Sequence, residues 1–266
     1  MGEYDQALRG FVASEATFLG VTKRVFRGGE GPPVLVMAEI PGITPRVLDF
    51  ARRLIDRGMT VVLPDLFGVA GQPPRAHRLA RTIAKACISR EFSMLARHKA
   101  SPVTDWLRAL ARSLHEEFDG PVGAVGMCLT GNFALTLCLD PWMTAPVLSQ
   151  PSLPVAIGRS TLHATPEVEE TLVRRAKEDG LTVLGLRFSG DPLCPRARFD
   201  ALSSLLGERF ERIEIDSGAG NAAGHRLLAH SVLTEDLIDE TGQPTQTALH
   251  RVLEFLEERL RPAPAE

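Results

Sequence analysis

The chain has 266 residues, of which 44% are hydrophobic and 24% charged, and its net charge is −3. That length and mixture suit a globular α/β chain with a core large enough to need no disulfides, and they exclude a disordered chain. Acids and bases are interspersed, so the charge pattern points to neither a nucleic-acid partner nor an anionic membrane surface.

The opening stretch, MGEYDQALRG, lacks a basic segment followed by an apolar one, so no secretory signal is expected there. Nowhere does an apolar run approach the roughly 18 residues of a membrane span. The first buried run is PPVLVMAEI (32–40), followed by MTVVLPDL (59–66), PVGAVGMC (121–128), APVLSQPSLP (145–154) and LTVLGLRFSGD (181–191). Short, nearly continuous apolar runs bounded by Gly, Pro and Asp predict strands buried on both faces, and hence parallel ones. FERIEID (210–216) alternates and predicts a strand nearer an edge.

Helical patterns lie between these runs. PRVLDFARRLIDRG (45–58) puts Val47, Leu48, Ala51 and Leu54 on one stripe, with Pro at its start and Gly at its end. TDWLRALARSLHEEF (104–118) repeats the stripe with Leu107, Leu110, Ala111 and Leu114, and PEVEETLVRRAKEDG (166–180), RARFDALSSLLGERF (196–210) and TQTALHRVLEFLEERL (245–260) are further helix candidates. Strands alternating with helices predict βαβ units, a mainly parallel central sheet and flanking helices. The longer connections are 67–102 and 217–231, and with no linker between the elements a single domain over 1–266 is expected.

The four cysteines, Cys87, Cys128, Cys138 and Cys194, match neither a zinc site nor a disulfide framework. Reduced thiols in the cytoplasm are expected. The seven histidines lack metal-ligand spacing, so no metal is expected.

Open parallel sheets build their sites beyond the carboxyl ends of the strands. Three polar residues stand there: Glu39, Cys128 and Asp191, with His230 further on. Cys128 is flanked by Gly126, Thr130 and Gly131, a variant of the G-x-S-x-G elbow with cysteine as nucleophile. The small neighbours suit a strained strand-turn-helix, and the first turn of the helix favours a thiolate. Cys87, Cys138 and Cys194 have no such context, and Cys138, ten residues into the same unit, is expected in the core. A thiol nucleophile needs a base, and the base an orienting carboxylate. The order Cys128…Asp191…His230 is the nucleophile–acid–His order of the α/β-hydrolase fold, with His230 favoured over the competing His225.

On these motifs the chain resembles the dienelactone hydrolase family, the cysteine branch of the α/β-hydrolases. The nucleophile signature G-x-C-x-G-G stands here as Gly126-Met127-Cys128-Leu129-Thr130-Gly131, with Thr130 in place of a glycine. The family's Glu matches Glu39 in AEIPG, its Asp matches Asp191 in SGDPLCP, and its His matches His230 in AHSVL, with Ser231 beside it. The resemblance implies a carboxylic ester or lactone hydrolase working without a cofactor on a small molecule. It implies that Glu39 takes the thiol proton when substrate arrives, and that the backbone N–H groups of Ile40 and Leu129 form the oxyanion hole. A substrate carboxylate would need a cation, for which Arg81 and Arg90 are the candidates among Arg78, Arg81, Lys85 and Arg90, with Ser231 as a further substrate contact. The alternative is a non-catalytic relative that keeps the pocket for ligand binding or sensing.

Overall fold

A computed structural model describes residues 6–74, 101–152, 162 and 164–261. An antiparallel hairpin, β1 (Val12–Phe18) and β2 (Val21–Gly28), comes first. The apolar pattern does not announce it. β1 is largely exposed, so burial imposes no alternation on it. Its two-residue loop, Leu19–Gly20, has φ of 52° and 74°, a primed-turn geometry that usually advertises itself with Asn-Gly or Asp-Gly.

The remaining strands are β3 (Pro33–Met37), β4 (Thr60–Pro64), β5 (Val122–Met127), β6 (Met143–Ser149), β7 (Val183–Phe188) and β8 (Phe210–Ile215). Among the described residues one sheet forms, in the order β1-β2-β4-β3-β5-β6-β7-β8. β3 to β8 run parallel, and β2 pairs antiparallel with β4. β3, β4, β5 and β7 are buried along their whole length, whereas β8, at the edge, is mixed.

The helices α1 (Pro45–Asp56), α2 (Pro102–Phe118), α3 (Gly131–Leu137), α4 (Pro166–Glu178), α5 (Arg196–Leu206) and α6 (Pro244–Leu260) connect and cover the strands. Successive side chains of a strand point to opposite faces, and the core divides accordingly. Val34 and Val36 of β3 pack in one cluster with Val47 and Leu48 of α1 and Leu249 and Val252 of α6. Leu35 and Met37 pack in the other with Leu107 of α2, Phe133 of α3, Leu172 of α4 and Leu202 of α5.

The chain leaves β3 through α1 to reach β4 on one side, then returns through α2 to β5 on the other. β3 and β5 therefore flank a topological switch point, where a crevice opens beyond the strand ends. Met37 is in register with Gly126, so the segments that follow β3 and β5 emerge side by side.

Candidate active site

The elbow after β5 is built around a residue in a disfavoured conformation. Cys128 has φ of 57°, in the left-handed region that costs a side-chain-bearing residue free energy. The chain tolerates this because its neighbours are small. A Cβ on Gly126 would lie 2.3 Å from the Thr130 carbonyl oxygen, and one on Gly131 would lie 2.8 Å from the Pro151 Cβ. Thr130 is bound in as well. Its hydroxyl accepts the Met127 N–H at 2.8 Å and lies 2.7 Å from the Met37 carbonyl oxygen, tying the elbow to β3. A 3-10 turn, Cys128–Thr130, then leads into α3.

Asp191 follows β7 and is buried. Its Oδ1 accepts the Leu193 N–H at 2.9 Å, and its Oδ2 accepts the Nδ1–H of His230 at 2.7 Å. Asp236 fixes the histidine loop from the other side, since its Oδ2 accepts the backbone N–H groups of His230 at 2.9 Å and Ser231 at 3.1 Å. Burial opposes ionisation of Asp236, but those two amides and Arg226 outweigh it and hold the carboxyl below its ordinary range. With Nδ1 engaged, the buried Nε2 of His230 is the ring nitrogen left for the Cys128 side chain, whose hydrogen bond helps raise the ring's pKa. Burial is the largest influence on this ring and pulls its pKa down. The charge that Cys128 would carry when ionised, with the hydrogen bonds to Asp191 and Cys128, acts the other way and leaves it well above the ordinary histidine value. His225 is placed elsewhere, edge-on to the Phe188 ring at 5.0 Å between centroids, and burial lowers its pKa.

The Cys128 sulfur lies 3.1 Å from the Ser152 hydroxyl, a hydrogen bond that either group can donate. Ser152 also donates its N–H to the Cys128 carbonyl at 3.0 Å.

Glu39, after β3, is buried and faces hydroxyl and amide donors rather than a cation. It accepts hydrogen bonds from Ser231 Oγ at 2.7 Å, Gln150 Nε2 at 3.2 Å and Thr234 Oγ1. A second carboxylate, Glu235, stands near it, its pKa raised first by burial and further by the Glu39 charge. Glu39 thus joins β3 to the loop that carries His230. The Ser231 hydroxyl, expected at the substrate, is committed to Glu39. Ile40 packs beside the core and its N–H donates to no described backbone group. The Leu129 N–H belongs to the first turn after the elbow, before an intrahelical acceptor exists. Arg81 and Arg90 lie outside the described residues, as do Arg78, Lys85 and Cys87. Cys138 and Cys194 are fully buried, and burial pushes both thiols up to about 12.

His230 is thus joined to Asp191 and coupled to Cys128, and Glu39 is held by Ser231 and Thr234 of the same loop. Sequence reasoning missed Ser152, Asn132, Asp236, Gln150 and Thr234. Their chemistry is ordinary hydrogen bonding, and only the fold places them at the elbow, at Glu39 or at the histidine loop. Among the described residues no three His, Cys, Asp or Glu side chains are grouped to hold a metal ion, and no helix is long and apolar enough to cross a membrane.

A model of the dienelactone hydrolase family matches residues 17–259. No curated protein sequence matches the chain. Among solved structures, a protein assigned as a dienelactone hydrolase from Klebsiella pneumoniae superposes with a TM-score of 0.62 at 16% identity, covering 93% of this chain and 99% of its own. A dienelactone hydrolase from Anabaena variabilis gives 0.60 at 16% identity, covering 94% of this chain and 98% of its own. A cold-adapted esterase from an Arctic intertidal metagenomic library gives 0.53 at 16% identity, covering 94% and 93%. At such identities these structures speak for the fold.

Proposed function

Because the chain belongs to the dienelactone hydrolase family, whose members are carboxylic ester hydrolases, we propose that it cleaves a small ester or lactone through Cys128, His230 and Asp191. The observation that carries this is the 2.7 Å bond from His230 Nδ1 to Asp191, which leaves the buried Nε2 for the Cys128 side chain.

The Cys128 thiolate attacks the acyl carbon, and the carbonyl π electrons move to oxygen. The N–H groups of Ile40 and Leu129 are the donors for that oxyanion. Collapse of the intermediate breaks the ester C–O bond. The leaving alkoxide takes a proton from protonated His230, and a thioester remains on Cys128. Water then gives a proton to the now neutral His230 and adds to the thioester. The second oxyanion collapses to expel the thiolate and the free acid. Asp191 keeps the ring oriented and supports its positive charge throughout.

Glu39 enters as the thiol's base only if its bonds to Ser231, Gln150 and Thr234 release, since they occupy its oxygens in the unliganded protein. The free thiols at Cys128, Cys138 and Cys194 support a reducing, cytoplasmic setting.

The test is to trap the intermediate. After acid quenching of turnover with an activated aryl ester, peptide mass spectrometry finds the acyl group on the peptide containing Cys128. An acyl group on another residue, with Cys128 unmodified, overturns the reading.

A further inference from the structure

Behind the elbow, a buried cation is connected to the nucleophile through two neutral side chains. Arg198 lies in the first turn of α5 and is 1% exposed. Its Nη1 donates to Asn132 Oδ1 at 2.6 Å. Asn132, on α3, is equally buried, and its Nδ2 donates to the carbonyls of Leu129 and Ser152, each at 3.0 Å. Ser152 is wholly buried and meets Cys128 twice, hydroxyl to sulfur and N–H to carbonyl.

We propose that Arg198, acting through Asn132 and Ser152, is a positioning residue that seats the Cys128 sulfur and favours its thiolate. The proposal rests on the reading of Cys128 as nucleophile. An amide side chain has one accepting and one donating end, and a guanidinium only donates. The Arg198 contact therefore fixes which end of Asn132 faces α5, and it turns the NH2 group onto both carbonyls. Those carbonyls belong to the residue after Cys128 and to the residue that holds its sulfur. Ser152 then has a fixed backbone from which its O–H donates to a thiolate.

The charge acts in the same direction. Burying a guanidinium is costly, and burial brings Arg198 down to about 10, while the Cys194 and Cys128 sulfurs oppose that fall. A buried positive charge favours negative charge near it. Cys194, fully buried and pushed up to about 12, stays protonated. Other charged groups face the sulfur as well. From the loop after β8 comes His230, backed by Asp191. Glu39, beyond β3, is turned to its hydroxyl and amide donors.

The experiment follows the pH dependence of iodoacetamide labelling on the peptide containing Cys128, together with kcat and KM. It compares the wild type with Ser152→Ala, Arg198→Met and Arg198→Lys. The hydroxyl is one hydrogen bond to a charged atom, so Ser152→Ala lowers kcat about 10-fold with KM little changed. Its labelling midpoint moves up by about one pH unit. Arg198→Met moves the midpoint in the same direction, and Arg198→Lys, which keeps the charge, restores much of it. A merely structural arginine would change stability and leave the midpoint in place. Ser152→Ala removes a single oxygen, so it decides the matter even if Arg198→Met does not fold. An unmoved midpoint in folded Ser152→Ala overturns the proposal. Turnover persisting in Cys128→Ala sinks the nucleophile instead, and the labelling result is read independently of it.

Discussion

His230 responds to the charge state of its neighbour. A negative sulfur favours the imidazolium, so Cys128 raises the histidine's pKa. In the proposed mechanism, acylation of Cys128 removes that charge. The ring is then left with burial, which lowers its pKa, and Asp191, which raises it. Its pKa falls on forming the thioester, which suits a group that must next accept a proton from water. NMR titration of His230 in Cys128→Ala, where the sulfur is gone, shows a lower pKa than in the wild type; an unchanged value contradicts this coupling. His230→Ala stops ester turnover and His225→Ala costs little, because only His230 meets Asp191 while His225 packs on Phe188. Steady-state rates of the two variants check this, and the reverse order would move the base. Glu39 separates two roles. As the thiol's base, it makes Glu39→Gln slow in turnover and faster in alkylation of free Cys128, because a repelling charge is gone. As a link between β3 and the histidine loop, it makes Glu39→Gln disturb turnover and leave labelling unchanged. The paired measurement of ester hydrolysis and iodoacetamide labelling tells them apart.

The elbow is where an element depends on single atoms. Gly126→Ala forces a Cβ to 2.3 Å from a backbone oxygen of the turn itself, which cannot swing away. Overpacking of this kind costs about 3 kcal/mol. Gly120→Ala is the control, since its Cβ would meet only the Phe118 carbonyl at 3.6 Å, an ordinary contact. Urea denaturation shows a large loss for the first and a change within about 0.5 kcal/mol for the second. The same element shows what the sequence could and could not reveal. β3, β4, β5 and β7 were legible because burial on both faces leaves continuous apolar runs. Gly126 and Gly131 were legible because the turn excludes larger residues. β1 and β2 were not, because an exposed edge strand and a Leu-Gly turn leave no such mark. Thr130 read only as a departure from a glycine. In the fold its hydroxyl ties the elbow to β3, and that partner lies 93 residues away along the chain.

At the scale of the whole molecule, the site follows from topology. The reversal of strand order between β3 and β5 sets Glu39 and Cys128 at adjacent strand ends. The end of β7 and the loop beyond β8 bring Asp191 and His230. The order of these residues in the chain was readable, because each follows a recognisable strand or its successor. The polar scaffold behind them was not. Arg198, Asn132 and Ser152 come from three separate segments, and each alone reads as an ordinary helix or loop residue. The central claim is that Cys128 is the nucleophile, and the most direct measurement is kcat/KM of Cys128→Ala on an activated ester, with circular dichroism to show that the fold persists. Losing the nucleophile leaves only binding and the oxyanion donors, so the rate constant falls by about 10³ or more. A folded Cys128→Ala that retains more than about a tenth of the wild-type value contradicts the account.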